Sequence, residues 1–242
     1  MRDHRPALRA VLFDALGTLV ELDDPLGGLV RSLAARGIEA APGEVGRALQ
    51  VEIDFYRAEH HVAADVAALG QLRLECARVF ASALGGPVTA LDDGAVRDLL
   101  LEGLRFRAFD DVVPALAALR ERGMRMAVVS NWDISLHEVL AAAGLTGWFD
   151  VVVTSAQERV QKPDPGLFAI ALRRLGGAEP SEVLHVGDDL LADVQGARAA
   201  GIEPLLIDRE RSGTPDGGVT VVTSLAGVVD RVDASTARAR SG

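Results

Sequence analysis

A single cysteine, Cys76, stands in 242 residues, so no intramolecular disulfide can form, and a reducing compartment suits the chain. Lysine is just as scarce: Lys162 is the only one, and every other strongly basic side chain is arginine. The formal net charge of −10, with no basic stripe, argues against nucleic acid or an anionic membrane surface as a partner. No apolar run approaches the length of a bilayer span. The early basic residues lead into an apolar run that stops at Asp14 without a small-residue cleavage pattern. The expectation is a cytoplasmic protein, monomeric or homodimeric. With 49% apolar and 25% charged residues, the composition suits one sizeable packed domain, or one domain carrying a smaller insert.

What is present is organised around Ala10-Val11-Leu12-Phe13-Asp14, which breaks at Gly17-Thr18. An apolar run of this length predicts a buried parallel strand over 7–13, with Asp14 at the C-terminal end, where open α/β sheets hold their ligands. A carboxylate there is placed for chemistry or, in the blander reading, merely opens a turn. From about Leu22 to Arg107 apolar residues recur at helical spacing, which predicts helices over 26–36, 43–60, 63–84 and 93–104. From Asp110 helix and strand alternate, with helices over 112–122, 134–143, 165–175, 190–200 and 224–231 and strands over 125–129, 150–153, 183–186, 204–207 and 219–222. Such alternation demands a parallel sheet with helices on both faces, a Rossmann-like α/β architecture. The expected division is a core of residues 1–21 and 108–232, an all-helical cap of 22–107 and a frayed tail of 233–242. A helical segment spliced in after the first strand's turn would hang over the C-terminal edge of the sheet as a lid.

Three further stretches end predicted strands or follow them: Val128-Val129-Ser130-Asn131, Gln161-Lys162-Pro163-Asp164-Pro165, and His185-Val186-Gly187-Asp188-Asp189 continuing to Asp193. In this order, with Asp14 leading, the set resembles the four motifs of the haloacid dehalogenase (HAD) superfamily of hydrolases, over most of the chain. The resemblance implies a Rossmann-like core with a helical cap and Asp14 as a nucleophile that forms an aspartyl intermediate. Lys162 then supplies the charge that keeps Asp14 ionised, and Ser130 completes the catalytic set. Ser130, Asn131 and Thr18 bind an anionic small-molecule substrate. Carboxylates crowded beside Asp14 repel one another unless a cation neutralises them, and Mg2+ is a hard cation that takes oxygen ligands. The implied metal set is Asp14, the main-chain carbonyl of Leu16, Asp188, Asp189 and Asp193, with Asp188 as the direct ligand and Asp193 orienting a bound water or Lys162.

One position departs from the pattern. Most phosphatases of the superfamily carry a second acid two residues after the nucleophile, and here that residue is Leu16, which cannot transfer a proton. Acid–base help of that kind is typically worth about 10²–10⁴-fold. Three readings follow. The first is a Mg2+-dependent, phosphatase-like hydrolase of a small phosphorylated metabolite. The second is a 2-haloacid dehalogenase, in which no leaving oxygen needs a proton and a lid arginine such as Arg31, Arg47 or Arg57 holds the substrate carboxylate. The third is a catalytically weak protein that binds a ligand or partner. Phosphonate cleavage through a Schiff base needs a lid lysine, which the chain lacks. Trp132 and Trp148 read as packing residues, with Trp132 near enough to the motif to touch substrate. Phe55 and Tyr56 read as crevice or lid packing, the adjacent His60 and His61 as a poor metal pair, and His185 as a core histidine inside a strand.

Overall fold

The computed structural model describes residues 7–210 and 218–240; the outermost positions of the expected core and tail, 1–6 and 241–242, lie outside the described residues. The chain opens with β1 (Ala10–Phe13) and β2 (Val20–Asp23), then runs through α1 (Pro25–Ala34), α2 (Pro42–Glu59), α3 (Val66–Leu84) and α4 (Asp93–Gly103) before β3 (Arg105–Ala108). There follow α5 (Val112–Glu121), β4 (Arg125–Ser130), α6 (Leu136–Ala142), β5 (Val151–Thr154), the single turn α7 (Ser155–Glu158) and α8 (Pro165–Arg174). The last elements are β6 (Val183–Gly187), the short α9 (Gly196–Ala199), β7 (Glu203–Ile207), β8 (Thr220–Val222) and α10 (Ala226–Arg240).

Six strands form one sheet in the order β5, β4, β1, β6, β7, β8, and every pairing is parallel. Side chains alternate across it. Val11, Phe13, Met126, Val128, Leu184 and Val186 face one way and bury against Leu116 and Leu119 of α5 and Val228 and Val232 of α10. Ala10, Leu12, Ala127, Val129 and Val183 face the other way, against Leu167, Phe168 and Ala171 of α8. Both faces are therefore dry, which is why these strands read as continuous apolar runs. β1 lies at the centre with β4 and β6 on either side, so whatever follows Phe13 emerges from the middle of the C-terminal edge.

The helical cap has its own apolar core, in which Leu29, Leu33, Val45, Leu49, Phe80 and Leu99 are buried. α1 and α4 approach so closely that a Cβ on Gly28 would stand 2.1 Å from the carbonyl oxygen of Gly103. Asp24, Asp65 and Asp92 cap α1, α3 and α4 by accepting from main-chain N–H groups of Gly27, Ala68 and Ala95.

Several elements differ from expectation. The chain enters and leaves the cap through an antiparallel pair, β2 with β3, in which Val20 faces Ala108 and Asp23 faces Arg105. Strands this short, separated by the whole cap, leave no local periodicity, and their ends fall within the segment expected to be helical. The expected helix over 190–200 is a π-helical turn, Leu190–Gln195, followed by α9. The expected frayed tail is helical as far as Arg240: α10 is pinned by the Arg122–Asp233 ion pair at 2.7 Å and by Ser235, whose Oγ accepts from the Leu8 N–H. No helix among the described residues is long and apolar enough to cross a membrane.

Candidate active site

Phe13 is paired on one side with Val128 and on the other with Val186, which carries Asp14 out over the sheet edge, where its N–H donates to the Val186 carbonyl at 2.8 Å. Ser130 closes β4 and Gly187 closes β6, so the residues flanking Asp14 in space come from the ends of its two neighbouring strands. Lys162 reaches in from the loop before α8. It is 4% exposed, and its ammonium donates to Asp14 Oδ1 at 2.6 Å and to Asp193 Oδ1 at 2.5 Å. Ser130 is buried and hydrogen-bonds the Asp14 carboxylate.

Two glycines make this crowding possible. Gly17 has φ +76°, and a Cβ there would stand 2.2 Å from Asp188 Oδ2; at Gly187 a Cβ would stand 2.0 Å from Asp193 Cγ. The carboxylates of the fourth motif thus pack directly onto bare backbone. The π-helical turn lets Asp193 fold back beneath Gly187, a distortion that recurs at functional sites.

Asp14, Asp188 and Asp193 each offer a carboxylate oxygen, and these atoms all lie within 4.8 Å of one another. Among the described residues this is the one group able to hold a metal ion through His, Cys, Asp or Glu. Burial raises the pKa of Asp14, and Asp193 adds to the rise, although Lys162 and Ser130 oppose it. Asp188 faces the opening but has protein around most of it. That enclosure, with Asp14 and Asp193 nearby, pushes its carboxyl up to about 7. Burial works against Asp193 too, yet Lys162 and His185 prevail and hold it well below the usual carboxylate range. Burial alone would depress Lys162; Asp14 and Asp193 overcome it and keep the ammonium charged. Three carboxylates against one ammonium leave the ionised cluster short of two positive charges, which one divalent cation would supply. The donor set, all oxygen, fits Mg2+.

Other expected members do different work. Asp189 caps the π-helical turn, its Oδ1 accepting from the Leu191 and Ala192 N–H groups at 2.7 Å each, so it is a capping residue outside the cluster of candidate metal-binding carboxylates. Asn131 spends both ends of its carboxamide on Lys162: Oδ1 accepts from the Lys162 N–H at 2.8 Å and Nδ2 donates to its carbonyl at 3.0 Å. It sets the Lys162 loop and keeps one Nδ2–H beyond that pair of bonds. The Thr18 side chain is fully buried, and its hydroxyl meets no partner among the described residues, so it does not line an open crevice. Leu16, between Asp14 and Gly17, has a side chain 38% exposed. Arg31 is taken by Asp24 at 3.0 Å, and Arg47 and Arg57 are exposed on α2.

Three residues not assigned to the site by their sequence position take part in its support. Arg209, just past β7, donates to the carbonyls of Gly17 at 3.2 Å and Thr18 at 2.6 Å and to Asp111 Oδ1 at 3.0 Å, bracing the turn after Asp14. Nothing local marks it, because its partners are distant in the chain. His185 Nε2 donates to Asp193 Oδ1 at 2.9 Å. A polar side chain inside an otherwise apolar buried strand was the available signal. Tyr56 of the cap donates to Asp133 Oδ2 at 2.8 Å, tying α2 to the loop after β4. Trp132 is buried against Phe106 and Trp148 stacks under Arg120, both as packing residues.

Known proteins are similar to this chain in sequence and in fold. A family model described as haloacid dehalogenase-like hydrolase matches residues 8–201. Human haloacid dehalogenase-like hydrolase domain-containing protein 3 is 31% identical over 214 residues, covering 84% of this chain and 83% of that protein. The glyceraldehyde 3-phosphate phosphatase of Methanopyrus kandleri is 31% identical over 209 residues, covering 84% of each. In fold, the crystal structure of a defluorinating L-2-haloacid dehalogenase superposes with a TM-score of 0.72 at 24% identity, covering 93% of this chain and 95% of that one.

Proposed function

The chain belongs to the haloacid dehalogenase-like hydrolase family, and on that premise we propose that it is a Mg2+-dependent phosphohydrolase of a small phosphorylated metabolite, working through a covalent intermediate on Asp14. The observation that carries this reading is the charge balance at the sheet edge: carboxylate oxygens of Asp14, Asp188 and Asp193 lie within 4.8 Å of one another, against the single ammonium of Lys162, which pairs with Asp14 and Asp193. Displacement of halide from carbon needs no such excess of carboxylates. An anionic phosphoryl group approaching Asp14 does need added positive charge.

Asp14, Asp188 and the Leu16 carbonyl would hold Mg2+, which when bound screens the incoming phosphate from the carboxylates. Asp193 keeps both its oxygens for Lys162, His185 and the Asp189 N–H, and so orients without binding directly. Lys162 pins Asp14 Oδ1 and opposes its protonation, favouring the carboxylate that attacks. A bond forms from Asp14 to phosphorus as the bond to the leaving oxygen breaks. Water then attacks the phosphorus of the aspartyl phosphate, releasing inorganic phosphate and restoring the carboxylate. Leu16 supplies no proton to the leaving oxygen, so the reading favours substrates whose leaving groups depart as stable anions.

A second reading, 2-haloacid dehalogenase, is favoured by Leu16 itself, since departure of halide requires no acid. One paired assay separates the two: phosphate release from a panel of phosphate esters with and without Mg2+, and halide release from 2-haloacids in EDTA. Expected is Mg2+-dependent phosphate release that disappears in Asp14→Asn. Chloride release that ignores EDTA overturns the proposal. Silence in both assays with Mg2+ still bound assigns the protein to ligand binding.

A further inference from the structure

His185 is wholly buried in β6, on the sheet face covered by α8, and performs no step of the chemistry above. We propose that it is a positioning residue of the same site: its Nε2–H fixes Asp193 Oδ1, and through that oxygen it aims the Lys162 ammonium at Asp14. Its expected effect on rate rests on the phosphohydrolase reading; the geometry itself does not.

Asp193 Oδ1 receives two donors, Lys162 Nζ at 2.5 Å and His185 Nε2 at 2.9 Å, while Oδ2 receives the Asp189 N–H at 3.1 Å. Turning the carboxylate breaks all three bonds. Lys162 is a long side chain with several rotatable bonds, steered among the described residues by Asp14 and Asp193. If His185 withdraws its donor, the Lys162 ammonium and the Asp189 N–H alone hold the Asp193 carboxylate among the described residues, and Oδ1 can shift, drawing the ammonium away from Asp14. The imidazole cannot follow, because Phe168 meets it edge to face with centroids 4.9 Å apart at 84°. Phe168 is itself wedged in place: a Cβ on Gly196 would stand 2.9 Å from its Cε2.

The ring's hydrogen-bonding state follows from its partners. An ionised carboxylate only accepts, so Nε2 carries the proton. Nδ1 is buried and has no hydrogen-bond partner among the described residues. His185 thus serves the site through its Nε2 donor. An apolar residue would fill the same space with no unmet nitrogen, so the polar ring serves for the one bond it makes.

The test uses the full chain with His185→Phe, which keeps a ring against Phe168 without a donor, and His185→Gln, whose amide nitrogen can occupy the place of Nε2. With the best ester of the panel above, His185→Phe is expected to lose about 10- to 100-fold in kcat with KM changed by less than about twofold, and His185→Gln to recover most of the loss. Wild-type kcat in His185→Phe overturns the proposal. A second readout needs no turnover. Because Lys162 is the only lysine, 15N-lysine labelling yields one ammonium resonance, expected to exchange slowly with solvent in the wild type and faster in His185→Phe. An unchanged exchange rate overturns the proposal. Ring 15N shifts of wild-type His185 must show the proton on Nε2; a proton on Nδ1 overturns the proposal even if neither variant folds. If the wild type hydrolyses no ester, the phosphohydrolase reading falls, while the two resonance measurements still decide the role of His185.

Discussion

At the sheet edge three carboxylates gather around one ammonium, whereas between α2, α3 and the loop after β4 the buried Glu52, Cys76 and Asp133 and the half-buried Tyr56 meet with no lysine or arginine bonding any of them among the described residues. In the second cluster burial pushes Glu52, Tyr56 and Cys76 all upward, toward their protonated forms. Glu52 bonds Cys76 within the cap, Tyr56 bonds Asp133 across to the core, and the Ile134 N–H donates to the Ala63 carbonyl beside them. The same burial therefore yields two outcomes. Where a cation is built in, Asp193 is held ionised against its burial; where none is, burial pushes Glu52 toward its protonated form within the cap.

The sharpest way to extend the contrast is Leu16→Asp, which adds a fourth carboxylate to the charged cluster and restores a proton carrier two residues after Asp14. The expected result is a gain of about 10²–10⁴-fold in phosphate release with Mg2+ present, together with a lower Tm in its absence. No gain in a variant that folds and binds Mg2+ would mean that proton transfer was never what limited the reaction.

Mg2+ itself comes next. If it binds only the folded state, a concentration 100-fold above Kd stabilises the protein by about 2.7 kcal/mol, read as a rise in Tm. Asp188→Asn should raise the Tm of the metal-free protein, by relieving carboxylate repulsion, and abolish the response to Mg2+. The effect has a pH signature. With Asp188 pushed up to about 7, the metal-free site takes up a proton below that pH which Mg2+ must displace, so affinity measured by calorimetry falls from pH 8 to pH 6. The sign for stability is opposite to that of an ordinary ion-paired acid. A carboxyl raised by folding stabilises the metal-free protein at low pH, and that contribution is lost as pH rises from the ordinary carboxylate range through about 7.

The neutral cluster should respond more mildly. Tyr56→Phe leaves Asp133 Oδ2 without its donor from the cap and is expected to cost about 1–3 kcal/mol in chemical denaturation. A Tyr56→Phe variant as stable as the wild type would show that the Tyr56–Asp133 bond does not help to hold the cap. Smallest of all is Glu52→Gln, which replaces an acid held toward neutrality by a neutral isostere, with an expected cost of about 1 kcal/mol or less. A large loss there would mean that Glu52 carries its charge, and would erase the distinction between the two clusters.

Much of the site was legible because its members stand where strands end. Asp14, Ser130 and Asp188 each follow or close an apolar run, and parallel strands place such positions along one edge whatever their separation in the chain. Lys162 was legible as the lone lysine between two prolines. Asp189 and Asn131 have the right chemistry in the right motif, yet one caps a turn and the other holds the Lys162 main chain, because a short polar side chain bonds whatever backbone lies within about 3 Å. Arg209 and the β2–β3 pair left no local trace, since their partners are remote in the chain.

Order along the chain thus determined the architecture, the edge on which the acids meet and the identity of the one cation, for these follow from periodicity and from strands that all run in one direction. Which oxygen each donor reaches, and so whether an acid bears charge, caps a helix or steers its neighbour, was decided only by the tertiary structure. Hydrogen bonds fail beyond a few tenths of an ångström and a few tens of degrees, a resolution that residue order does not carry.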